Sequence, residues 1–126
     1  MSYLEKIKEM YAMIGQGQLL EAFEKYYHED IVMIEGHGDV CKGKADNRER
    51  EQDFVESIET MHGSGVTAFT ANEETGVTMV EAWMELTFKG APMSVRMEEV
   101  AVQKWEGDQI IHERFYYDPS FMGEEE

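Results

Sequence analysis

The apolar residues of this chain change their spacing once, near Val66. Before that residue they recur at steps of three and four, which is typical of helices that bury one side. After it they alternate with polar residues, which is typical of strands that bury one face. A chain with its helices first and most of its strands afterwards is expected to fold as an α+β domain, with the helices on one face of an antiparallel sheet.

Three helices are predicted in the first half. Ser2 followed by Glu5 predicts a capping box at the start of the first helix. A second, short helix follows Gly17, and a short strand over residues 31–35 comes after it. The third helix is predicted from Asp46 to Met61, with residues 47–51 on a charged outer face and with these residues turned inward: Phe54, Val55, Ile58 and Met61. The segment His62–Gly65 is expected to end it.

Four long strands are predicted from Val66 onward. The segments 73–76, 89–92 and 106–108 each contain a glycine and are expected to form the tight turns between them. Within the third of these strands, Met97, Glu99, Ala101 and Trp105 share one face. No repeat or low-complexity linker divides the chain, so residues 1–126 are expected to form a single domain.

Composition and charge exclude several classes of function. The net charge of −16 repels phosphate backbones and anionic lipids, so no nucleic-acid partner and no membrane partner is expected. Cys41 is the only cysteine, so an internal disulfide is excluded, and a cytoplasmic protein without a secretory leader is expected. The acidic residues are spread along the chain, and only Glu124–Glu126 forms a run, which is expected to be a frayed tail.

Three segments carry a resemblance to a known family. They are the residues 23–32 (FEKYYHEDIV), 104–111 (KWEGDQII) and 113–119 (ERFYYDP). In these segments and in the order of its elements, the chain resembles the SnoaL-like branch of the nuclear-transport-factor-2-like superfamily. The resemblance implies a cone-shaped, curved antiparallel sheet with three N-terminal helices that enclose a pocket. The family includes ketosteroid isomerases, polyketide cyclases, hydrolases, dehydratases and members without catalysis, so the fold alone does not select a reaction.

The ketosteroid isomerase relatives suggest three site residues. Their general base lies at the end of the first strand, where this chain has Glu35, and their oxyanion donor lies on the first helix, where it has Tyr11. Their second donor, a protonated carboxyl, corresponds either to Glu99 or to Ala101. The resemblance therefore implies an isomerase-type or cyclase-type enzyme that transfers a proton next to a carbonyl group. The alternatives are a ligand-binding or accessory module without catalysis and an interaction protein that works through its sheet face.

The residues themselves leave these alternatives open. Glu35 follows four apolar residues, so it either loses hydration at a pocket mouth and becomes a better base or marks the exit of the strand into water. Tyr11 either stabilises an enolate oxygen or is a core tyrosine. Glu99 and Glu113 share strand faces with apolar residues, so they either act as acid and base in one cavity or pair with Arg96 or Arg114.

A pocket for a small, flat, apolar molecule is the expected binding site. Its wall is predicted to consist of Tyr27, Met33, Phe54, Ile58, Met61, Met84, Met97, Ala101, Trp105, Glu113, Phe115 and Tyr117. No phosphate loop or dinucleotide fingerprint occurs, so no cofactor is expected. His37, Asp39 and Cys41 lie close together in a loop, but a second cluster with ligand spacing is missing, so no metal is expected.

The opposite face of the sheet is predicted to be more apolar than a solvated face. It carries Trp83, Val100, Val102, His112 and Tyr116 among charged residues. A second subunit would cover this surface, so a homodimer through the outer sheet face is expected.

Overall fold

The computed structural model describes residues 1–122, and the predicted tail at Glu124–Glu126 lies outside them. The predicted α+β fold is confirmed: three helices pack against one curved, unclosed sheet of six strands. In chain order, the elements within these residues are α1 (Tyr3–Gly15), α2 (Leu19–Tyr26), β1 (Tyr27–Ile34), β2 (Val40–Lys42), α3 (Lys44–Ser57), β3 (Ile58–Asn72), β4 (Val77–Phe88), β5 (Val95–Glu106), β6 (Gln109–Tyr116) and a short 3-10 helix (Pro119–Met122).

Hydrogen bonds from its own capping box and from a turn distant in the sequence stabilise the start of α1. The predicted capping box is confirmed, because the Ser2 hydroxyl accepts from the Glu5 amide at 3.0 Å and the Glu5 carboxylate accepts from the Ser2 amide at 2.8 Å. The Glu73 carboxylate, in the turn between β3 and β4, accepts from the amides of Tyr3 and Leu4 at 2.8 and 3.0 Å. These bonds satisfy free N–H groups of the first helical turn and attach α1 to the sheet.

The sheet has the strand order β2-β1-β6-β5-β4-β3. Its neighbouring strands run antiparallel, as predicted, except for β1 and β6, which run parallel. The prediction of a purely antiparallel sheet is therefore wrong at this pair. Tight turns join only the strands from β3 to β6. β1 follows α2 directly and is separated from β6 along the chain by β2, α3 and the strands β3 to β5, so it can enter the sheet beside β6 with the same direction.

The predicted boundary between the third helix and the following strand is wrong. The helix ends at Ser57, so Ile58 and Met61 lie in β3, and His62–Gly65 continues that strand instead of ending a helix. Ile58 is aligned with Phe88 and Met61 with Leu86 on β4. Pairing with β4 overrides a local apolar spacing that suits a helix, because the ladder satisfies backbone groups along the strand.

The glycines of this segment make room for an indole ring. A Cβ atom on Gly65 would lie 2.7 Å from Nε1 of Trp83, and one on Gly63 would lie 3.3 Å from the same ring. The register between β3 and β4 also shifts at three places, near Ile58, Met61 and Val66. Such bulges increase the local twist of a strand, and they contribute to the curvature that lets the sheet wrap around the helices.

Two further boundaries differ from the prediction. β1 begins at Tyr27 rather than at residue 31, so α2 passes into β1 without a loop. A three-residue strand, β2, occupies part of the predicted loop after β1 and pairs with it in an antiparallel register.

The hydrophobic core lies where α1 and α2 cover the sheet. Its most buried members are Ile7, Met10, Ala22, Phe23, Tyr26, Tyr27, Ile31, Met33, Val80, Trp105 and Ile110. Trp105 packs against the rings of Tyr3 and Tyr26, with centroids 5.6 and 5.8 Å away. Among residues 1–122, no helix combines the length and the apolar character that a bilayer crossing requires.

Substitution of Glu73 tests how strongly the turn stabilises α1. Glu73→Ala removes both carboxylate bonds to the helix start and is expected to lower the free energy of unfolding by about 1 kcal/mol. Glu74→Ala is the matched control, because the neighbouring Glu74 side chain is exposed and holds no part of α1. Urea denaturation of both variants measures the difference, and equal stability of the two would contradict this role of Glu73.

Candidate functional site

A cavity of about 590 Å³ lies between the helices and the inner face of the sheet. This volume lies within the range of small-molecule sites. The structure places all three predicted catalytic residues, Glu35, Tyr11 and Glu99, on its wall. It also places there these residues of the predicted pocket: Tyr27, Met33, Phe54, Met84, Met97, Glu113, Phe115 and Tyr117.

Four residues predicted for the wall do not line this cavity. Ile58 and Met61 follow α3 on strand β3, and Met61 is 45% exposed. Ala101 and Trp105 lie on the inner face of β5 but are buried in the packed region beside the cavity. Alternation along β5 thus predicts which residues share a face, but it does not predict where along that face the cavity lies.

Glu35 follows β1 directly and receives a hydrogen bond from another residue of the cavity wall. The Tyr117 hydroxyl donates to Oε1 of Glu35 at 3.1 Å. Gly36 permits this contact, because a Cβ atom there would lie 2.9 Å from the Tyr117 ring. Burial and the negative charge of Glu35 raise the pKa of Tyr117 to about 12, so its hydroxyl keeps the proton that it donates.

Glu113 is a fully buried carboxyl at the end of a hydrogen-bond chain. The Trp105 indole donates to the Thr78 hydroxyl at 2.9 Å, Thr78 donates to Oε1 of Gln103 at 2.7 Å, and the Gln103 amide donates to Glu113 at 2.7 Å. Tyr27 donates to the other carboxyl oxygen. Because an indole can only donate, the direction of the whole chain is fixed, and Glu113 accepts at both oxygens.

Opposing effects set the pKa of Glu113. Burial raises it most, the hydrogen bonds from Tyr27 and Gln103 lower it, and the charge of Glu35 raises it again, so the pKa of Glu113 is about 7. Burial and the adjacent Glu113 raise the pKa of Tyr27 well above its ordinary value. Tyr27 is therefore a permanent donor, and Glu113 changes its charge near neutral pH.

Glu51 and Glu99 make no hydrogen bond or ion pair through their side chains with any residue from 1 to 122. Burial and the charges of Glu113 and Glu35 raise the pKa of each to about 8. The predicted alternative in which Glu99 pairs with Arg96 is wrong, because Arg96 lies on the other face of β5 and pairs with Glu98 at 2.9 Å. At neutral pH both carboxyls therefore favour the protonated form, which is able to donate a hydrogen bond.

The prediction that Glu51 lies on the charged outer face of the third helix is wrong. Asn47, Arg50, Glu51 and Phe54 all line the cavity. Their spacing of three, four and seven residues is that of one helical face. The signal is present in the sequence, but apolar periodicity does not detect it because this face of α3 is mostly polar.

Tyr11 meets the cavity from α1. Its ring packs edge-on against Phe69, with centroids 6.0 Å apart. Burial and the charges of Glu113 and Glu99 raise the pKa of Tyr11 well above its ordinary value. Tyr11 is thus a neutral phenol near neutral pH, which suits a hydrogen-bond donor.

Among residues 1–122, two cationic side chains reach the cavity wall, and neither forms an ion pair with the glutamates of that wall. Arg50 pairs with Asp39 at 3.4 Å, and the Lys8 ammonium lies 5.9 Å from the Phe69 ring. Within residues 1–122, no group of three His, Cys, Asp or Glu side chains is close enough to hold a metal ion. The site therefore offers neutral donors and unpaired carboxyls inside mainly apolar walls, a combination suited to acid–base chemistry.

Helices that close a cavity against a curved, open sheet define the class of nuclear-transport-factor-2-like and ketosteroid-isomerase-like folds. The model of the SnoaL-like domain matches residues 1–117, and the chain belongs to this family. No curated protein matches the chain.

Three solved structures illustrate the similarity. A protein from Mesorhizobium loti, described as a candidate SnoaL-like polyketide cyclase, is 29% identical with a TM-score of 0.81, over 93% of this chain and 100% of that one. A candidate isomerase from Bacillus subtilis is 15% identical with a TM-score of 0.81, over 96% of this chain and 92% of that one. A candidate polyketide cyclase from Pseudomonas putida is 14% identical with a TM-score of 0.79, over 97% and 96%. The last two similarities concern the fold alone.

The raised pKa values of the cavity carboxyls make the stability of the protein depend on pH. Glu51, Glu99 and Glu113 have folded-state pKa values of about 8, about 8 and about 7 against an ordinary 4.5. Between these limits the folded protein holds more protons than the unfolded chain, so these groups make the free energy of unfolding fall as pH rises from about 5 to about 8. Glu99→Gln is expected to make this fall shallower.

Urea denaturation over a series of pH values measures this dependence. Glu98→Gln is the matched control, because it removes a charge from the opposite face of the same strand. The comparison also isolates the cavity from His112, whose lowered pKa acts in the opposite direction by disfavouring the folded state at low pH. Identical slopes for the two variants would show that Glu99 is not protonated in the folded protein.

Proposed function

We propose that this SnoaL-like protein binds a small, mostly apolar carbonyl compound in its cavity and transfers a proton at the carbon next to the carbonyl group. The observation that carries the proposal is the convergence of Glu35, Tyr11 and Glu99 on one cavity with mainly apolar walls. A base and two neutral donors around one space are the groups that enolisation requires.

In this proposal Glu35 acts as the general base. The bond between hydrogen and the α-carbon breaks, the proton passes to a Glu35 carboxylate oxygen, and the electron pair moves through the new C=C bond to the carbonyl oxygen. The resulting enolate oxygen accepts hydrogen bonds from Tyr11 and Glu99. If the Glu35 carboxyl first exchanges its proton with the solvent, reprotonation of the same carbon gives hydrogen exchange, and transfer of the proton to a conjugated carbon gives isomerisation.

Glu99, rather than Ala101, is the second donor in this proposal. Ala101 has no donor group and is fully buried away from the cavity, whereas Glu99 lines it. Because its pKa is about 8, Glu99 is mainly protonated at neutral pH. Its carboxyl group can then donate a hydrogen bond to the substrate oxygen. A donor that remains neutral while charge develops on the substrate favours the enolate over the ketone.

Hydrogen–deuterium exchange in D₂O tests the proposal on many carbonyl compounds at once. A panel of small ketones, enones and β-dicarbonyl compounds is followed by NMR for loss of the α-hydrogen signal. The protein is expected to accelerate exchange in at least one compound. Glu35→Gln is expected to reduce that rate by about 10²–10⁴-fold, and Tyr11→Phe by about 10–10³-fold.

Glu81→Gln is the control for the loss of one negative charge. Glu81 is exposed on the outer face of β4 and lies outside the cavity. This variant is expected to retain the exchange rate of the unaltered protein. Binding of panel compounds without accelerated exchange would remove the catalytic proposal and leave a ligand-binding module.

We also propose that two copies of the chain associate through the outer face of the sheet. Tyr116 is 51% exposed on this face, and the Arg96 guanidinium lies over the Trp83 ring at 4.2 Å. Nδ1 of His112 is shielded from solvent and has no hydrogen-bond partner in the part of the chain described. Charges of both signs, such as those of Arg96 and Glu98, surround these groups, so a two-fold related copy offers complementary charges.

A polar substitution on this face tests the association. Tyr116→Asp is expected to convert a species with the mass of two chains into one with the mass of a single chain, as measured by light scattering after gel filtration. Val40→Asp, at an exposed position on β2, is the control that should remain dimeric. A single-chain mass for the unaltered protein at micromolar concentration would reject the dimer.

A further inference from the structure

In the part of the chain that the structure describes, four glutamates reach the cavity from separate parts of the fold. Glu35 follows β1, Glu51 lies on α3, Glu99 on β5 and Glu113 on β6. Their side chains enter one space from different directions, unlike a run of acids on one loop. The helices and the sheet therefore hold these carboxyls near one another in a mainly apolar enclosure, where the repulsion between ionised carboxyls is strong.

Arg50 and Lys8 line the same cavity, and the charge of Arg50 partly opposes the rise in the pKa of Glu51, so the counter-charge at this point is incomplete. No ion pair joins any of the four glutamates to a cation within residues 1–122, and Arg50 is paired with Asp39 instead. The side chains of Glu51 and Glu99 also make no hydrogen bond in that part of the chain, although both line the cavity and are partly buried. Carboxyls without partners inside mainly apolar walls are unfavourable unless they are protonated or meet a cation.

The spacing of the carboxyls favours an organic cation over a bare metal ion. Within residues 1–122, no three carboxyls are close enough to surround a single metal ion. Aromatic rings line the same space, including those of Tyr11, Phe69 and Phe115. Aromatic faces attract ammonium groups by cation–π interaction, and carboxylates attract them by charge and hydrogen bonds.

We infer that the natural ligand of this cavity carries a protonated amine, whose ammonium group binds among Glu51, Glu99 and Glu113 while its apolar part contacts the aromatic wall. The inference rests on the proposed function only in that both use this cavity as the ligand site. The charge state of Glu99 separates the two: the carbonyl reaction uses its neutral form, and the ammonium group binds its ionised form.

The inference predicts that the cavity carboxyls release protons when the ligand binds. In the empty cavity, burial and mutual repulsion raise the pKa values of Glu51 and Glu99 to about 8 and that of Glu113 to about 7. An ammonium group favours the ionised carboxyls, so its binding releases protons and strengthens as pH rises. The charged and titratable groups that face this position are Glu35, Glu51, Glu99, Glu113, Tyr11, Tyr27, Tyr117, Arg50 and Lys8.

Calorimetry with three probes of matched size tests the inference. Benzylammonium, benzyl alcohol and benzoate share the ring and differ in charge. At about pH 8, benzylammonium is expected to bind at least ~10-fold more tightly than benzyl alcohol, with a smaller advantage at about pH 6 and with no binding of benzoate. Titrations in buffers of different ionisation enthalpy are expected to show proton release with benzylammonium and none with benzyl alcohol.

Paired variants show whether the cavity carboxyls are responsible. Glu51→Gln and Glu99→Gln are each expected to weaken benzylammonium binding by ~5–10-fold and to leave benzyl alcohol binding unchanged. Their matched controls are Glu49→Gln, at an exposed position on α3, and Glu98→Gln, on the outer face of β5. These controls remove the same charge outside the cavity and should alter neither affinity.

Three results would overturn the inference. They are no binding of benzylammonium, equal or tighter binding of benzyl alcohol at both pH values, and an unchanged ammonium preference in the double variant Glu51→Gln, Glu99→Gln. The readout is binding, so it separates this inference from the catalytic proposal. Amine binding without carbonyl exchange would retain the inference and reject the catalytic proposal. Exchange of neutral ketones without a preference for amines would reject the inference and retain the catalytic proposal.

Discussion

The burial of one carboxyl group, that of Glu113, determines most of the chemistry of this molecule. The group lies on the inner face of β6 with 1% of its surface exposed, where an ionised carboxylate is costly unless donors reach it. Gln103 and Tyr27 supply those donors, and Thr78 and Trp105 fix the orientation of Gln103. Three strands and the junction of α2 with β1 are thus joined at a single polar point inside the core.

The partly compensated charge of Glu113 then affects its neighbours. It is a leading cause, after burial, of the raised pKa values of Glu51 and Glu99. It also raises the pKa of Tyr11. Burial and this one acid together therefore favour the neutral forms of the surrounding groups, while Glu35 has its own donor, Tyr117. Such separation of roles among similar groups arises from position and not from residue type.

Local signals in the sequence predict the parts of the fold that local interactions decide. The capping box at Ser2 and the glycine turns after β3, β4 and β5 are set by residues a few positions apart, and the structure contains all of them. The end of α3 and the parallel pairing of β1 with β6 depend on contacts between distant segments, so periodicity does not reveal them. For the site, resemblance predicts Glu35, Tyr11 and Glu99, whereas Glu51 escapes prediction because it lies on a polar helical face.

The bulged strand β3 has a consequence beyond the curvature of the sheet. The sheet has two edge strands, β2 and β3. The fifteen residues of β3 have a neighbouring strand on one side only, so backbone groups on the other side have no strand to pair with. A long, flat edge invites strands from other molecules to add to it, which leads to aggregation. Because its register shifts three times, a straight foreign strand can match it over only a few residues at a time, while β2 is only three residues long. The bulges that curve the sheet thus also limit the aggregation of the protein through its β3 edge.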